Sequence, residues 1–334
     1  MDAARERYPR VAGFTVQHRG SFIKQFQRPG GHNSIVCFPF WELVAAAGCP
    51  FECAYCFLQA TPSYVFKHYP LKGAIFENWR EMVAEVENWL EYPKPRMLLV
   101  GELQDGLAFE GAYKKYAGES LTEMLVPLFA GQEKHCINFL TKATNIRFIR
   151  KMQPTPQVIF SWSVNAEEVG ERWERKAPLP SQRLAAAEEL KSLGWRIRLR
   201  LDPMVPIKGW QRAYGKVITR INHLKPEMVT LGALRASNNL RAMARKNGRD
   251  ASIFDLLTEK DPAGFKWRLP QDLLVEMFRF ALDRVDGSII PSLCKEDRSI
   301  WSQLGMKWRG CNCLATVTVM QRGIQPTAHA PSKG

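Results

Sequence analysis

The stretch GCPFECAYCFLQ, residues 48–59, sets three thiols, Cys49, Cys53 and Cys56, in the spacing C-x3-C-x2-C directly after the apolar run SIVCFPF at 34–40. Five further runs suited to buried strands follow: RMLLVGEL at 96–103, CINFLTK at 136–142, QVIFSWSVN at 157–165, WRIRLRLD at 195–202 and EMVTLGAL at 227–234. Helical patterns separate several of them. In WREMVAEVENWLEY (79–92) one apolar stripe runs through Trp79, Met82, Val83, Val86, Trp89 and Leu90 before Pro93 and Pro95 end it. A second helix is expected from about Ser181 through RLAAAEELKSL to Gly194. About six strands alternating with helices argue for an α/β fold: a parallel sheet curled into a full or partial (β/α) barrel, with active-site residues at the C-terminal ends of the strands.

The chain divides on this reading into a basic arm rich in Gly and Pro at 1–33, a barrel at 34–234, a C-terminal extension at 235–322 and a disordered tail at 323–334. The extension begins with the basic stretch RASNNLRAMARKNGR, has a helical pattern at 271–285 and bears three more cysteines. The chain has 334 residues, 46% of them hydrophobic, enough for a substantial core. No apolar run of membrane-spanning length and no secretory leader pattern is present, so a cytoplasmic location without a membrane partner is expected. Eight cysteines are too few for a disulfide scaffold of this size and read first as ligands. A net charge of +14, spread through both halves, suits a polyanion such as DNA or RNA, although a generally basic enzyme would show the same excess.

Three thiolates on a four-iron cube leave one iron open to a further ligand. The spacing, the aromatic Tyr55 before the third thiol and the position after a first strand point to a [4Fe-4S] cluster of the radical S-adenosylmethionine (SAM) type. In such enzymes the open iron chelates SAM, and one electron cleaves it to a 5′-deoxyadenosyl radical. A small electron carrier such as flavodoxin or ferredoxin would reduce the cluster. A zinc site, which wants a fourth protein ligand, and three unrelated thiols are the alternative readings.

Several motifs in order carry a closer resemblance: YCFLQ at the cluster loop, K-x-x-N at Lys142–Asn145, S-V-N at Ser163–Asn165, and the block from Trp173 through LDPMVPIKGW to Tyr214. Over roughly residues 34–234 the sequence resembles the spore photoproduct lyase family, radical SAM enzymes that reverse a UV-induced thymine–thymine adduct in DNA. The resemblance implies a partial (β/α)6 TIM-like barrel of the radical SAM type with a C-terminal extension, and a carbon–carbon lyase acting in DNA repair. It implies that Lys142 and Ser163 contact SAM, the lysine through the SAM carboxylate, that Tyr55 packs beside the cluster, and that Glu102 or Asp105 accepts from the SAM amino group.

Two features depart from the family. Its lyases quench the substrate radical with a cysteine after the second strand, but no cysteine lies between Cys56 and Cys136 here. Phe57 stands where they have a tyrosine. Hydrogen donors must then be sought among Cys311, Cys313, Cys294 and Cys136. Cys294, Cys311 and Cys313 could instead ligate a second iron–sulfur cluster or a zinc, and Cys37 reads as core. For nucleic-acid contact the candidates are Arg198 and Arg200, on one strand face with Arg196, then Trp210, Arg235, Arg241 and Arg245. The rival functions are a radical SAM enzyme acting on RNA, a peptide or a small metabolite, and a non-catalytic nucleic-acid-binding metalloprotein.

Overall fold

Apolar, β-branched runs form the strands of this chain, and the Ala-, Leu- and charge-rich stretches between them form helices. The computed structural model describes residues 10–26, 35–60, 73–261, 264 and 266–314. The expected tail at 323–334 and, of the expected arm, residues 1–9 and 27–33 lie outside the described residues.

The main sheet has eight strands whose spatial order follows the chain. They are β1 (Ile23–Phe26), β2 (Phe40–Leu43), β3 (Met97–Val100), β4 (Cys136–Thr141), β5 (Val158–Val164), β6 (Arg196–Met204), β7 (Met228–Ala233) and β8 (Ile290–Leu293). Strands β2 to β8 are parallel, and β1 lies antiparallel on the outer edge of β2. The crossovers carry α1 (Trp79–Leu90), α2 (Glu110–Ala117), α3 (Leu121–Ala130), α4 (Glu167–Trp173), α5 (Pro180–Ser192), α6 (Trp210–Leu224), α7 (Leu240–Lys246) and α8 (Gln271–Leu282), and α9 (Arg298–Gln303) follows β8. Pro180 opens α5 at its first turn, where its missing N–H is not needed. Ser120 and Glu123 close a reciprocal capping box on α3.

The sheet is curled, because side chains far apart in strand order meet inside it. Lys295, just after β8, reaches Glu102, just after β3, at 2.9 Å. Arg198 on β6 lies 3.9 Å from Met97 Sδ on β3. The outer face is apolar and covered by helices, as parallel strands require. The concave face is mixed: Phe40, Leu99 and Leu140 form one apolar group, while Asn138, Ser161, Arg198, Arg200, Thr230 and Ser292 are polar. Residues 310–314 fill this lumen. Asn138 Nδ2 donates to Asn312 O at 2.7 Å, Ser161 Oγ to Asn312 Oδ1 at 2.8 Å, and Ser292 Oγ to Gly310 O at 2.7 Å.

Three readings change. SIVCFPF is not one strand: Ile35–Val36 pairs with Glu296–Asp297, Pro39 interrupts, and the parallel strand starts at Phe40. Cys37 accordingly lies outside any strand and is half-buried. Residues 10–26 are not a loose lead-in, since Phe14–Gln17 pairs with Ala74–Phe76 and β1 edges the barrel. Finally, the parallel sheet does not stop near 234; the segment beyond contributes β8 as a seventh parallel strand.

Candidate functional site

The cysteine loop leaves the C-terminal end of β2 and is pinned from several sides. Ala54 N donates to Trp173 O at 2.8 Å, and the Gln59 side chain donates to Ala54 O at 2.9 Å and to Cys56 O at 3.1 Å. Arg249 Nη1 donates to Cys53 O at 2.8 Å, and Asn247 Nδ2 to Gln59 Oε1 at 3.1 Å. Burial pushes all three thiols up, Cys53 to about 12, and the Cys49 thiol feels both of the others. Unmetallated, these thiols are neutral. Among the described residues no three His, Cys, Asp or Glu side chains converge on a single metal ion. Three thiols are the ligand set that leaves one iron of a four-iron cluster open, whereas a structural zinc takes four protein ligands.

Beside the loop lies a buried network. Tyr55 OH donates to Glu174 Oε1, and Arg183 Nη2 donates to Glu174 Oε2. Arg183 also donates to Ser163 O at 3.1 Å and Pro178 O at 2.7 Å. Against the upward push of burial, Arg183 and Lys142 hold the Glu174 carboxyl below its ordinary value. Lys142 Nζ lies 5.7 Å over the Tyr55 ring and makes no salt bridge among the described residues. Ser163, at the end of β5, donates to Asp202 O at 3.1 Å.

Asp105 is occupied. Its Oδ1 accepts from Leu107 N, Ala108 N and Thr141 Oγ1, and its Oδ2 accepts from Lys142 N at 2.7 Å. Glu102 points elsewhere, to Lys295 and, at 3.9 Å, to Arg200. Burial raises its proton affinity, but Lys295 and Arg200 outweigh this and hold its carboxyl low. Arg200 also pairs with Asp202 at 2.5 Å and reaches Cys294 Sγ at 3.2 Å. Gly232, next to Asp202 across the β6–β7 pair, must be glycine, since a β-carbon there would collide with the Asp202 carboxylate.

The four candidate donor thiols separate into three places. Cys294 follows β8 directly, at the active end of the sheet, and burial pushes its thiol up to about 12 against the pull of Arg200. Cys311 and Cys313 sit on the lumen segment; their mutual hydrogen bond, then burial, pushes the Cys313 thiol well up. Cys136 begins β4 at the opposite end, with its thiol on Gln157 at 3.2 Å. It cannot serve a site at the strand C-termini.

Most candidate nucleic-acid contacts are spent internally. Arg198 is fully buried, paired with Glu227 and donating to Leu314 O at 2.8 Å, so it cannot meet a phosphate. Arg235 binds Cys294 O and Lys295 O, and Arg241 pairs with Asp255. Trp210 is core, with its ring 5.1 Å from Phe280. Arg245 is exposed on α7. The exposed indole that the periodic patterns missed is Trp267, in a small sheet of Arg235–Ser237, Lys266–Arg268 and Glu259–Lys260, with Lys260 Nζ 4.2 Å over its ring. KWR is too short to carry a strand signal of its own.

The family model described as spore photoproduct lyase matches residues 40–233. The chain belongs to the spore photoproduct lyase family. It is therefore a radical SAM repair enzyme by family. Solved structures similar in fold include spore photoproduct lyase complexed with dinucleoside spore photoproduct, at 14% identity and a TM-score of 0.65, covering 84% of this chain and 82% of that one. A doubly substituted spore photoproduct lyase with bound AdoMet and dinucleoside spore photoproduct is 15% identical, with a TM-score of 0.59 and 74% of each chain covered. No curated protein matches the chain in sequence. The family match takes in the cysteine loop, Lys142, Ser163 and the Glu174–Arg183 pair, whereas Arg249, Cys294 and the lumen segment lie beyond it. No helix among the described residues is long and apolar enough to cross a membrane.

Proposed function

We propose that Cys49, Cys53 and Cys56 hold a [4Fe-4S] cluster at which SAM binds, and that the enzyme acts on a thymine adduct in DNA of the spore photoproduct kind. The observation that carries this reading is the joint placement of the three-thiol loop, the ammonium of Lys142, which makes no salt bridge among the described residues, and the strand-end hydroxyl of Ser163 at the C-terminal edge of one parallel sheet. When bound, the cluster and SAM supply the one-electron chemistry that abstracts hydrogen from an unactivated carbon.

The protein's own groups position and shield. Lys142 meets the SAM carboxylate as a point charge, with its backbone held by Asp105. Asp105 also braces the turn, with three donors on Oδ1 and Lys142 N on Oδ2. Tyr55 is held under Lys142 by Glu174 and supports the cofactor pocket from the side. Cys294, beside Arg200 and Asp202, is the thiol best placed to return a hydrogen atom to substrate, with Cys311 and Cys313 behind it in the lumen. Arg245 and Lys246 on α7 and Trp267 on the small sheet supply phosphate contact and a stacking surface for a base taken out of the helix.

The lack of any cysteine between Cys56 and Cys136 supports a second reading, a radical SAM enzyme of the same family with a different substrate. An anaerobic assay of the iron-loaded, reduced protein with SAM and an oligonucleotide carrying spore photoproduct separates the two, with Cys56→Ala as control. Thymine repair that disappears in the control supports the lyase reading. Deoxyadenosine formed without repair sends the search to another substrate.

A further inference from the structure

The family match ends at residue 233, yet the cysteine loop is gripped from beyond it. Gly248, at φ +66, turns the chain back at the end of α7, and Arg249 N closes the turn on Ala244 O at 2.9 Å. This turn delivers two side chains to the loop. Asn247 holds Gln59, whose amide spans the carbonyls of Ala54 and Cys56; Arg249 binds Cys53 O at 2.8 Å, which fixes its positive charge on the loop, where it pulls the Cys56 thiol down against burial. Asn247 brings geometry without charge. Arg249 brings geometry with charge.

We propose that Arg249 is a positioning residue that raises the reduction potential of the cluster held by Cys49, Cys53 and Cys56. This rests on the reading that the loop holds a [4Fe-4S] cluster. Reduction adds one negative charge to the cluster. Hydrogen bonds toward its sulfurs and the net charge around it set its potential, so a cation fixed to the loop that carries the ligating sulfurs favours the reduced state. Two other cations act on these thiols: Lys142, near Cys53 and Cys56, is committed to SAM in the proposed mechanism, and Arg183, near Cys53, is paired with Glu174. Arg249 is the cation built into the loop's own support.

The test is a redox titration, followed by electron paramagnetic resonance, of the reconstituted parent, Arg249→Gln, Arg249→Lys and Asn247→Ala without SAM or substrate, after iron content and absorbance have confirmed a full cluster. The expected result is a midpoint shifted to lower potential in Arg249→Gln. Arg249→Lys, which keeps the charge, should stay closer to the parent, and Asn247→Ala should keep the parent's midpoint while melting at a lower temperature. A fully loaded Arg249→Gln at the parent's potential, or an equal shift in Asn247→Ala, would overturn the proposal. So would loss of the cluster from both arginine variants while Asn247→Ala retains it, since the role would then be structural alone. A parent that assembles no cluster would instead overturn the cofactor reading beneath it.

Discussion

Glu174 takes its hydrogen bonds from Tyr55 and Arg183 where water does not reach, and both side chains of the Glu174–Arg183 ion pair are fully buried. Such a pair stabilises weakly as a pair, but removing one partner strands a charge. Arg183→Ala should therefore lower unfolding free energy by about 3–5 kcal/mol in chemical denaturation. A second buried group responds to pH. Glu42, at the C-terminal end of β2, accepts from Leu103 N, and burial, reinforced by the nearby Glu102, pushes its carboxyl from 4.5 up to about 8. A raised acid favours the folded state fully below its unfolded value and loses that contribution as pH rises through the folded one. Thermal melts should thus show stability falling between pH 4.5 and about 8 in the parent and falling less in Glu42→Gln. That Lys142 and Ser163 stand at strand ends was legible in the sequence, because each closes an apolar run. The Tyr55–Glu174 contact was not, because it joins residues 119 apart whose meeting depends on how the sheet curls.

Elements differ in how much of their stability is local. The Ser120–Glu123 box satisfies two N–H groups at the start of α3 from within four residues, so Ser120→Ala should cost about 1 kcal/mol, read as a lower melting temperature with activity retained. The small sheet bearing Trp267 is the opposite case. Its strands are short and its fold depends on β7 and β8 lying nearby, so no periodicity announced it. Trp267→Ala should leave the melting temperature nearly unchanged and weaken oligonucleotide binding by about 1–3 kcal/mol, measured by fluorescence anisotropy. If binding stays at the parent's level, the stacking role fails. The helices at 79–90, 180–192 and 271–282 were visible beforehand for the same reason: a stripe of apolar residues or a Pro and Gly boundary is written locally. Trp210 shows the limit of such reading, since its indole is used by α8 from across the chain.

At the scale of the whole molecule, the alternation of strands and helices in the first 234 residues revealed a barrel, but not what fills it. The lumen is packed by residues 310–314, whose carbonyls take the Arg198 guanidinium and the Asn138 amide. No local pattern in RGCNCL reports this role. Asn312→Ala removes one of the two acceptors of Ser161, which keeps Asn138 Oδ1, and leaves space around it; about 1 kcal/mol should be lost, read in chemical denaturation. Truncation after residue 309 should reduce stability further and increase dye binding, because Arg198 would keep Glu227 but lose its carbonyl partners.

Among the described residues, the lumen segment and β8 are also the parts of the barrel that a ribosome makes last. Until Ser292, Asn312 and Leu314 have been translated, the nascent barrel has a wet interior in which Asn138, Ser161 and part of the Arg198 guanidinium are solvated. Seating Cys311 and Cys313 then follows the translation of every strand of the described sheet. A chain halted short of that point carries its three-thiol loop on an open, hydrated shell.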